Sequence, residues 1–298
     1  EEDMRLFHKA HIDVVTLNVF SWAALQPDES TYDFSKLDKI MKLVKENGLK
    51  VCMATSTGAH PAWMARKYPD VLRVEHNGMK RKFGARHNSC PNSPNYRKYS
   101  AALVEKIAER YQDYDNIVAW HINNEFGGWC YCENCEKAFR VWLQKKYGTL
   151  DELNRVWNTA FWSHTMYDWD DVVACNMLSE EFLWDGQIRT NFQGISLDYN
   201  RFNSDSMLEC FNIEKDVLNR ITPDIPVTTN LMGAYKHLDY QKWAKDMDFV
   251  SWDNYPAYDA VPGDAAMNHD LMRGLKQGKP FALMEQTQGV SNWHIYCK

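Results

Sequence analysis

The hydrophobic positions of this chain alternate between two spacings, one typical of buried strands and the other of amphipathic helices. Residues 13–20 are almost continuously apolar, as expected for a strand that is covered on both faces. Residues 35–47 then carry apolar side chains at helical spacing, and Gly48 supplies the end of that helix. Residues 1–15 have the pattern of an amphipathic helix running into the first strand. The chain therefore begins with the order helix, strand, helix.

The same alternation continues and predicts a sheet of six strands. The further strands are expected at residues 49–56, 117–122, 226–231, 249–252 and 281–284. The helices between them are expected at residues 95–111, 135–147 (ended by Gly148), 197–219, 238–245 and 269–277. Residues 149–195 break the rhythm, are rich in Trp and Asp, and are predicted to be an insertion. Regular alternation of strands and helices implies a parallel sheet with right-handed crossovers.

Two closures of such a sheet fit the pattern, namely an open doubly wound sheet and a (β/α)8 barrel. An open sheet usually carries a glycine-rich phosphate loop after its first strand, but residues 18–30 (NVFSWAALQPDES) contain no glycine. Barrel enzymes place their chemistry at the carboxyl ends of the strands. The unusual polar residues lie there: Asn18, Ser56, Asn124, Glu125, Asn230, Asp253, Asn254 and Glu285. We therefore predict an α/β fold of the (β/α)8 TIM-barrel type, with residues 1–298 a partial catalytic domain that lacks the first and eighth strands.

Composition and charge narrow the class of protein. The net charge of −6 disfavours nucleic acid as a partner. No apolar run approaches the ~20 residues that a membrane-spanning helix needs, so we expect no membrane association. The 12 tryptophans supply either core packing or the flat apolar faces that line sugar-binding sites. The sequence opens inside a helix without a Met and shows no signal peptide, and we expect both ends to be cut.

Two glutamates stand at strand ends in positions that suit glycoside hydrolysis. Glu125 ends the segment IVAWHINNE and Glu285 lies in FALMEQ, three strands further on. Across a barrel mouth, one such carboxyl group can protonate a leaving oxygen while the other attacks the anomeric carbon or activates water. A single Glu at a strand end is more often part of an ion pair at the rim. Four polar or aromatic candidates favour a sugar site instead: Arg86, Asn124, Tyr255 and Trp293.

Four of the eight cysteines are predicted to hold a metal ion. Cys130, Cys132 and Cys135 lie within six residues, and Cys90 lies in a loop expected on the same face of the barrel. Four thiolates suit a closed, structural zinc site, although iron also binds four cysteines. Free thiols are the alternative, whereas a zinc ribbon for nucleic acid fails on spacing and charge. A disulfide framework does not suit a chain of this length, so we expect a reducing compartment.

These motifs together resemble glycoside hydrolase family 42, whose members are β-galactosidases. The segments that carry the resemblance run in order through the chain: VFSWAALQPDESTYDFSKLDKIM, TSTGAHPAWMARKYPDVL, RHNSCPNSP, WHINNEFGGWCYCENC, LDELNRVWNTAFW, SWDNYP and LMEQTQGVSNW. The resemblance implies a (β/α)8 catalytic domain and a retaining, exo-acting β-galactosidase. It also implies a β-galactoside substrate, a cytoplasmic bacterial protein, a homotrimeric parent and a structural Zn²⁺ without a catalytic role.

The resemblance further implies a role for each candidate residue. Glu125 matches the acid/base of the family and Glu285 its nucleophile, with Asn124 completing the Asn-Glu pair. Residues matching sugar-binding positions are Arg86, Tyr255 and Trp293, and those matching the zinc ligands are Cys90, Cys130, Cys132 and Cys135. The Asn-Glu pair is common to related barrel enzymes, so a retaining enzyme acting on β-glucosides or α-L-arabinopyranosides stays open. Less favoured alternatives are a non-catalytic carbohydrate-binding protein and a zinc-dependent interaction module.

Overall fold

A computed structural model of the protein describes residues 1–179, 181–184 and 187–286. Strands and helices alternate along the chain, as the hydrophobic pattern predicts. In order they are α1 (Glu2–Lys9), β1 (Val14–Leu17), α2 (Trp22–Leu25), α3 (Ser35–Glu46), β2 (Lys50–Ala54), α4 (Ala62–Lys67), α5 (Pro94–Tyr111), β3 (Ile117–His121), α6 (Glu133–Tyr147), α7 (Leu150–Trp157), β4 (Phe182–Trp184), β5 (Gln187–Arg189), α8 (Gln193–Ile221), β6 (Val227–Thr228), β7 (Asn230–Leu231), α9 (Tyr240–Asp246), β8 (Ser251–Asn254), α10 (Pro262–Leu275) and β9 (Ala282–Gln286). Short 3-10 helices occur at Pro69–Val71 and Trp169–Asp171.

The six predicted strands are all parallel, and each pairs with the next one along the chain. The order is β1-β2-β3-β6, followed by β7-β8-β9, and Thr229 separates the two halves of the fourth predicted strand. A doubly wound sheet would reverse its strand order at a switch point. The Oγ1 atom of Thr16 on β1 lies 4.0 Å from the Sδ atom of Met284 on β9, so the sheet curves enough for side chains of its two outer strands to come into contact. This consecutive, curved arrangement fits part of a barrel.

The first three strands end earlier than predicted because the residues beyond them have left-handed backbones. Asn18 (φ +73°) follows β1, Ser56 (φ +67°) follows β2, and Asn123 (φ +57°) follows β3. Positive φ angles interrupt the extended backbone and are uncommon outside glycine. Such residues cluster at functional sites, where the surrounding structure holds them in place. The turns place polar side chains at the carboxyl ends of the strands.

Several other boundaries differ from the sequence-based ones. Helix α10 begins at Pro262 rather than at 269, because proline with its fixed φ suits the first turn of a helix. Strand β8 covers Ser251–Asn254 instead of 249–252, which puts Asp253 inside the strand. The region predicted as an insertion, residues 149–195, contains α7, the antiparallel pair β4–β5 and the start of α8. These shifts leave the order of the parallel strands unchanged.

The core has two parts. The larger cluster lies between the strands and the helices and contains fully buried side chains such as Met53, Trp120 and Trp243. The smaller cluster is formed by α6, α7 and α8 and includes Cys90 and Cys130. Burial of each large apolar side chain contributes about 1.5–3 kcal/mol to stability. The cysteines therefore sit in an apolar region beside the main core.

Helix α8, with 29 residues, is long enough to run along both parts of this core. It carries the buried carboxyl groups Asp198 and Glu214 into the interior. Asp198 is paired with Lys146 and Arg201. Among the described residues, no helix combines the length and the apolarity that crossing a bilayer requires. Buried polar side chains of α8, such as Asp198, form ion pairs inside the protein.

Candidate active site

Three carboxyl groups meet at the carboxyl ends of the strands. Glu125 follows β3, Asp253 lies in β8 and Glu285 lies in β9, and one oxygen atom of each lies within 4.8 Å of the others. Glu125 and Asp253 are only 8% and 7% exposed. We call these three residues the carboxyl trio. Because like charges at this distance disfavour one another, the trio does not stay fully ionised.

The side-chain amide of Asn230, at the start of β7, joins the members of the carboxyl trio. Its Oδ1 atom accepts a hydrogen bond from the backbone N–H of Glu125 at 2.8 Å and lies 2.9 Å from Nε2 of His121. Its Nδ2 atom donates to Oδ2 of Asp253 at 2.7 Å and to Oε1 of Glu285 at 3.2 Å. One amide thus holds the carboxyl groups of Asp253 and Glu285 and the backbone of Glu125.

Glu125 is held by a cation and an amide. Nη1 of Arg86 lies 2.6 Å from Oε2 of Glu125, and Nδ2 of Asn124 donates to the same oxygen at 3.2 Å. Burial is the main influence on the Glu125 carboxyl and raises its pKa. Arg86 lowers the pKa of Glu125 and Glu285 raises it. The net result is a carboxyl group that holds a proton more readily than an exposed glutamate.

The acidity of Asp253 is strongly altered. Burial first, and then the neighbouring Glu285 and Glu125, raise the pKa of Asp253 to about 9, although the hydrogen bond from Asn230 opposes this effect. A carboxyl group with this pKa is neutral at pH 7. Perturbed acidity of this kind is characteristic of functional sites.

Glu285 receives a second hydrogen bond, which comes from the hydroxyl group of Tyr255. The phenol donates to Oε2 of Glu285, and burial together with this bond raises the pKa of Tyr255. Beside these groups opens a cavity of about 440 Å³ lined by Glu125, Gly233, Trp252, Asp253, Tyr255 and Asn268. This volume is within the range of small-ligand sites.

The four cysteines predicted as metal ligands lie together in the structure. Sγ of Cys90 is 3.4 Å from that of Cys132 and 3.5 Å from that of Cys135, and the four sulfur atoms, with Cys130, all lie within 4.8 Å of one another. Disulfide bonds would bring pairs to about 2.05 Å. Four sulfurs at about 2.3 Å from one zinc ion lie about 3.8 Å apart. The side-chain amide of Asn92 donates a hydrogen bond to Sγ of Cys135 at 3.4 Å. The spacing of the four sulfur atoms fits a zinc ion.

Comparison with known proteins identifies the family of this chain. The family model described as β-galactosidase, glycoside hydrolase family 42, matches residues 1–298. The chain belongs to glycoside hydrolase family 42. Similar curated proteins include β-galactosidase BgaP of Planococcus sp. (strain L4), 61% identical over 99% of this chain and 43% of its own length, and β-galactosidase LacZ of Lactobacillus acidophilus, 49% identical over 99% of this chain and 44% of its own length.

A solved family 42 structure has nearly the same fold. The β-galactosidase from Bacillus circulans sp. alkalophilus is 66% identical, covers all of this chain and superposes with a TM-score of 0.95. This chain corresponds to 44% of that protein and to 43% of BgaP. The chain therefore spans less than half the length of these family 42 relatives.

The structure brings together most of the residues singled out from the family 42 motifs. Arg86 and Asn124 contact Glu125, and Tyr255 contacts Glu285. Trp293 lies outside the described residues. The role of two further residues was missed: Asp253 and Asn230 were predicted to lie at strand ends, but their contacts with the two glutamates depend on strand curvature. The polar character of both residues within apolar strand segments was the available signal.

Proposed function

We propose that the protein carrying this chain is a retaining, exo-acting β-galactosidase that hydrolyses terminal β-D-galactose residues. The observation that carries the proposal is the close approach of Glu125 and Glu285, which have oxygen atoms within 4.8 Å of each other. Carboxyl groups about 5–5.5 Å apart suit retention, whereas inverting enzymes need about 6.5–9.5 Å to admit a water molecule. The family 42 relatives, named as β-galactosidases, support galactose as the sugar.

In this mechanism Glu285 is the nucleophile and Glu125 the acid/base. The ionised Glu285 attacks the anomeric carbon while Glu125 donates a proton to the departing oxygen. The negative charge of Glu285 contributes to the raised pKa of Glu125. Once the sugar is bonded to Glu285, that charge is gone and Glu125 releases a proton more easily. Glu125 then acts as the base for the incoming water.

The neighbouring groups bind and orient the sugar in this proposal. Asn124 is placed beside Glu125 to hold the 2-hydroxyl group, an interaction that strengthens in the transition state. Arg86 binds hydroxyl groups next to the acid/base, and Tyr255 orients the nucleophile. Trp293 offers a stacking face for the sugar ring, as the resemblance implies.

The barrel itself is part of the proposal. We infer that the six parallel strands are the second to seventh of a (β/α)8 TIM barrel, and that residues 1–298 belong to its catalytic domain, with an insertion at about 149–195. Support comes from the consecutive strand order, the contact between Thr16 and Met284, and the position of the carboxyl trio at the strand carboxyl ends.

A structural zinc ion held by Cys90, Cys130, Cys132 and Cys135 completes the proposal. Four thiolates leave no open coordination position, so the ion stabilises the loops without taking part in the reaction. Arg86 and Cys90 lie in one of these loops, and Glu125 and Cys130 lie in the other. A homotrimeric parent in the bacterial cytoplasm is also proposed, and light scattering after size-exclusion chromatography tests the trimer.

The test is release of nitrophenol from p-nitrophenyl β-D-galactopyranoside by the full-length protein and its Glu285→Ala variant. We expect turnover by the parent and a loss of at least about 1,000-fold in kcat for the variant, since the covalent step is removed. Glu46→Ala, which removes an exposed carboxylate on α3, is the matched control and should leave kcat unchanged.

The outcomes distinguish the alternatives. Near-normal turnover by Glu285→Ala would reject Glu285 as the nucleophile. Hydrolysis of the β-glucoside or α-L-arabinopyranoside substrate in preference to the galactoside would move the assignment to another retaining β-glycosidase. A folded parent that binds galactose without hydrolysing any of the three substrates would be a carbohydrate-binding protein.

A further inference from the structure

The charges at the strand ends indicate that a carboxyl group other than the two catalytic glutamates holds a proton. The carboxyl trio would carry three negative charges if fully ionised, and Arg86 contributes one positive charge through its ion pair with Glu125. Among the described residues, the titratable groups that act on Asp253 are Glu125, Glu285, Tyr240 and Tyr255, while Arg86 is paired with Glu125 and His121 contacts Asn230. Since the two tyrosines are neutral at pH 7, the excess negative charge is relieved by protonation of a carboxyl group.

We propose that Asp253 is a positioning residue for the catalytic proton: Asp253 and Glu125 share one proton, which rests on Asp253 in the free enzyme and passes to Glu125 when substrate engages Arg86. This inference rests on the proposed glycosidase function and deepens it. In this scheme Asp253 stores the proton that Glu125 later donates, a role that neither Glu125 nor Glu285 fills.

The hydrogen bonds of Asp253 support this assignment. Oδ2 accepts from Nδ2 of Asn230 at 2.7 Å, whereas the buried Oδ1 receives no hydrogen bond from the described residues. A buried carboxylate oxygen without a donor is costly, but the same oxygen carrying a proton is itself a donor. An oxygen atom of Glu125 lies within 4.8 Å of one of Asp253, and their interaction raises the pKa of Asp253 and lowers that of Glu125, as expected when the proton lies on Asp253.

The ion pair between Arg86 and Glu125 explains why the proton rests on Asp253 before substrate binds. A guanidinium at 2.6 Å favours the ionised form of Glu125. Sugar hydroxyl groups that take up the donors of Arg86 weaken this ion pair and raise the proton affinity of Glu125.

The proton transfer balances without another reactant. The O–H bond of Asp253 breaks as an O–H bond forms on Glu125, and Asp253 is left as a carboxylate. Glu125 then gives this proton to the leaving oxygen. In the second half of the reaction Glu125 takes a proton from water, and Asp253 recovers it as the product leaves.

The test compares full-length Asp253→Asn with the parent on two galactosides that differ in their need for a proton. Phenyl β-D-galactopyranoside requires protonation of its leaving group, whereas 2,4-dinitrophenolate departs from its galactoside as a stable anion. Asparagine keeps the size of aspartate and its acceptor for Asn230, but it carries no transferable proton. We expect kcat/KM at pH 8 to fall about tenfold or more on the phenyl substrate and less than about threefold on the dinitrophenyl substrate.

The pH profile supplies a second readout. The alkaline limb of kcat/KM on the phenyl substrate should move down by about one pH unit in Asp253→Asn, because a store of one proton has been removed. Asp253→Glu, which keeps a protonatable group, should retain the limb of the parent and provides the test if the asparagine variant does not fold. Asp259→Asn removes an exposed carboxylate from the following loop and should change neither readout.

Equal losses on both substrates, or an alkaline limb that does not move, would overturn the proton-sharing role. The same result together with an inactive Glu285→Ala variant would leave the glycosidase function intact. A folded parent that hydrolyses neither galactoside would instead reject the proposed function itself, so the two failures are distinguishable.

Discussion

The fully buried carboxyl group of Glu214 makes a quantitative prediction about stability and pH. Glu214 lies on α8, where Oγ1 of Thr57 donates to its Oε2 at 2.9 Å and Oε1 has no hydrogen-bond partner among the described residues. Burial raises the pKa of Glu214 from 4.5 to about 7. The ionised form is thus less stable in the fold than in the unfolded chain.

The sign and size of the effect follow from linkage between proton binding and folding. Because the folded pKa is the higher one, the fold suffers no penalty below pH 4.5 and loses stability as the pH rises towards 7. At 1.36 kcal/mol for each pKa unit, the full penalty is about 3 kcal/mol above pH 7, and it is about 1 kcal/mol at pH 5. Replacing Glu214 by Gln removes this titration. The variant should therefore gain about 2–3 kcal/mol relative to the parent between pH 5 and pH 8.

The assay is urea denaturation of the full-length, metal-loaded protein at pH 5, 6, 7 and 8, followed by tryptophan fluorescence. Any constant effect of the amide, such as a changed bond to Thr57, cancels when the difference between variant and parent is compared across pH. Glu209→Gln, on the same helix with a side chain that is 61% exposed, is the control and should show no such trend. A difference between Glu214→Gln and parent that is the same at every pH would refute the reasoning.

Two further predictions concern the loops beside the site. Cys132→Ser should lower the thermal midpoint and the amount of bound zinc, measured by atomic emission. The kcat of the fraction that stays folded should fall only as a consequence of this loss of stability. Unchanged melting with one zinc ion bound would contradict the proposed metal site. Gly128→Ala should destabilise the protein, since Gly128 has φ +75° and an added Cβ would lie 2.2 Å from Nη1 of Arg73, a buried side chain that the hydrogen bond from its Nε to the Ser89 backbone oxygen holds in place. Gly78→Ala is the control, because Gly78 has a similar backbone (φ +81°) and open space around it. The free energy of unfolding lost in the Gly128 variant should exceed the loss in the Gly78 variant by about 1–3 kcal/mol in urea denaturation, and this excess measures the steric clash. Equal losses in the two variants would exclude the clash.

The strand order and the pair of glutamates could be predicted from the sequence because both depend on local patterns. Apolar runs identify buried strands, and Glu125 and Glu285 interrupt such runs at their carboxyl ends. The cysteine spacing identified three of the candidate ligands in the same way. Cys90 could be added because loops that follow neighbouring parallel strands emerge on the same side of the sheet.

The contacts within the site could not be predicted, because they depend on how far the sheet curves. Nothing local indicates that the amide of Asn230 reaches both Asp253 and Glu285. The helix start at Pro262 was missed since the apolar spacing is weak there, although proline is itself a signal of a first turn. The ends of β1, β2 and β3 were placed too late because apolar patterns do not register left-handed residues such as Asn18.

The single amide of Asn230 has a consequence for how the protein acquires activity. Its partners lie in β8, in β9 and after β3, so they are far apart in sequence and meet only when every one of these strands has docked. Contacts between distant segments form late, because closing a long loop costs chain entropy before the new contacts can stabilise the chain. Partly assembled intermediates would hold the separate carboxyl groups without their common anchor. Recovery of turnover during refolding therefore reports completion of the sheet, and it should lag behind the recovery of helical circular dichroism.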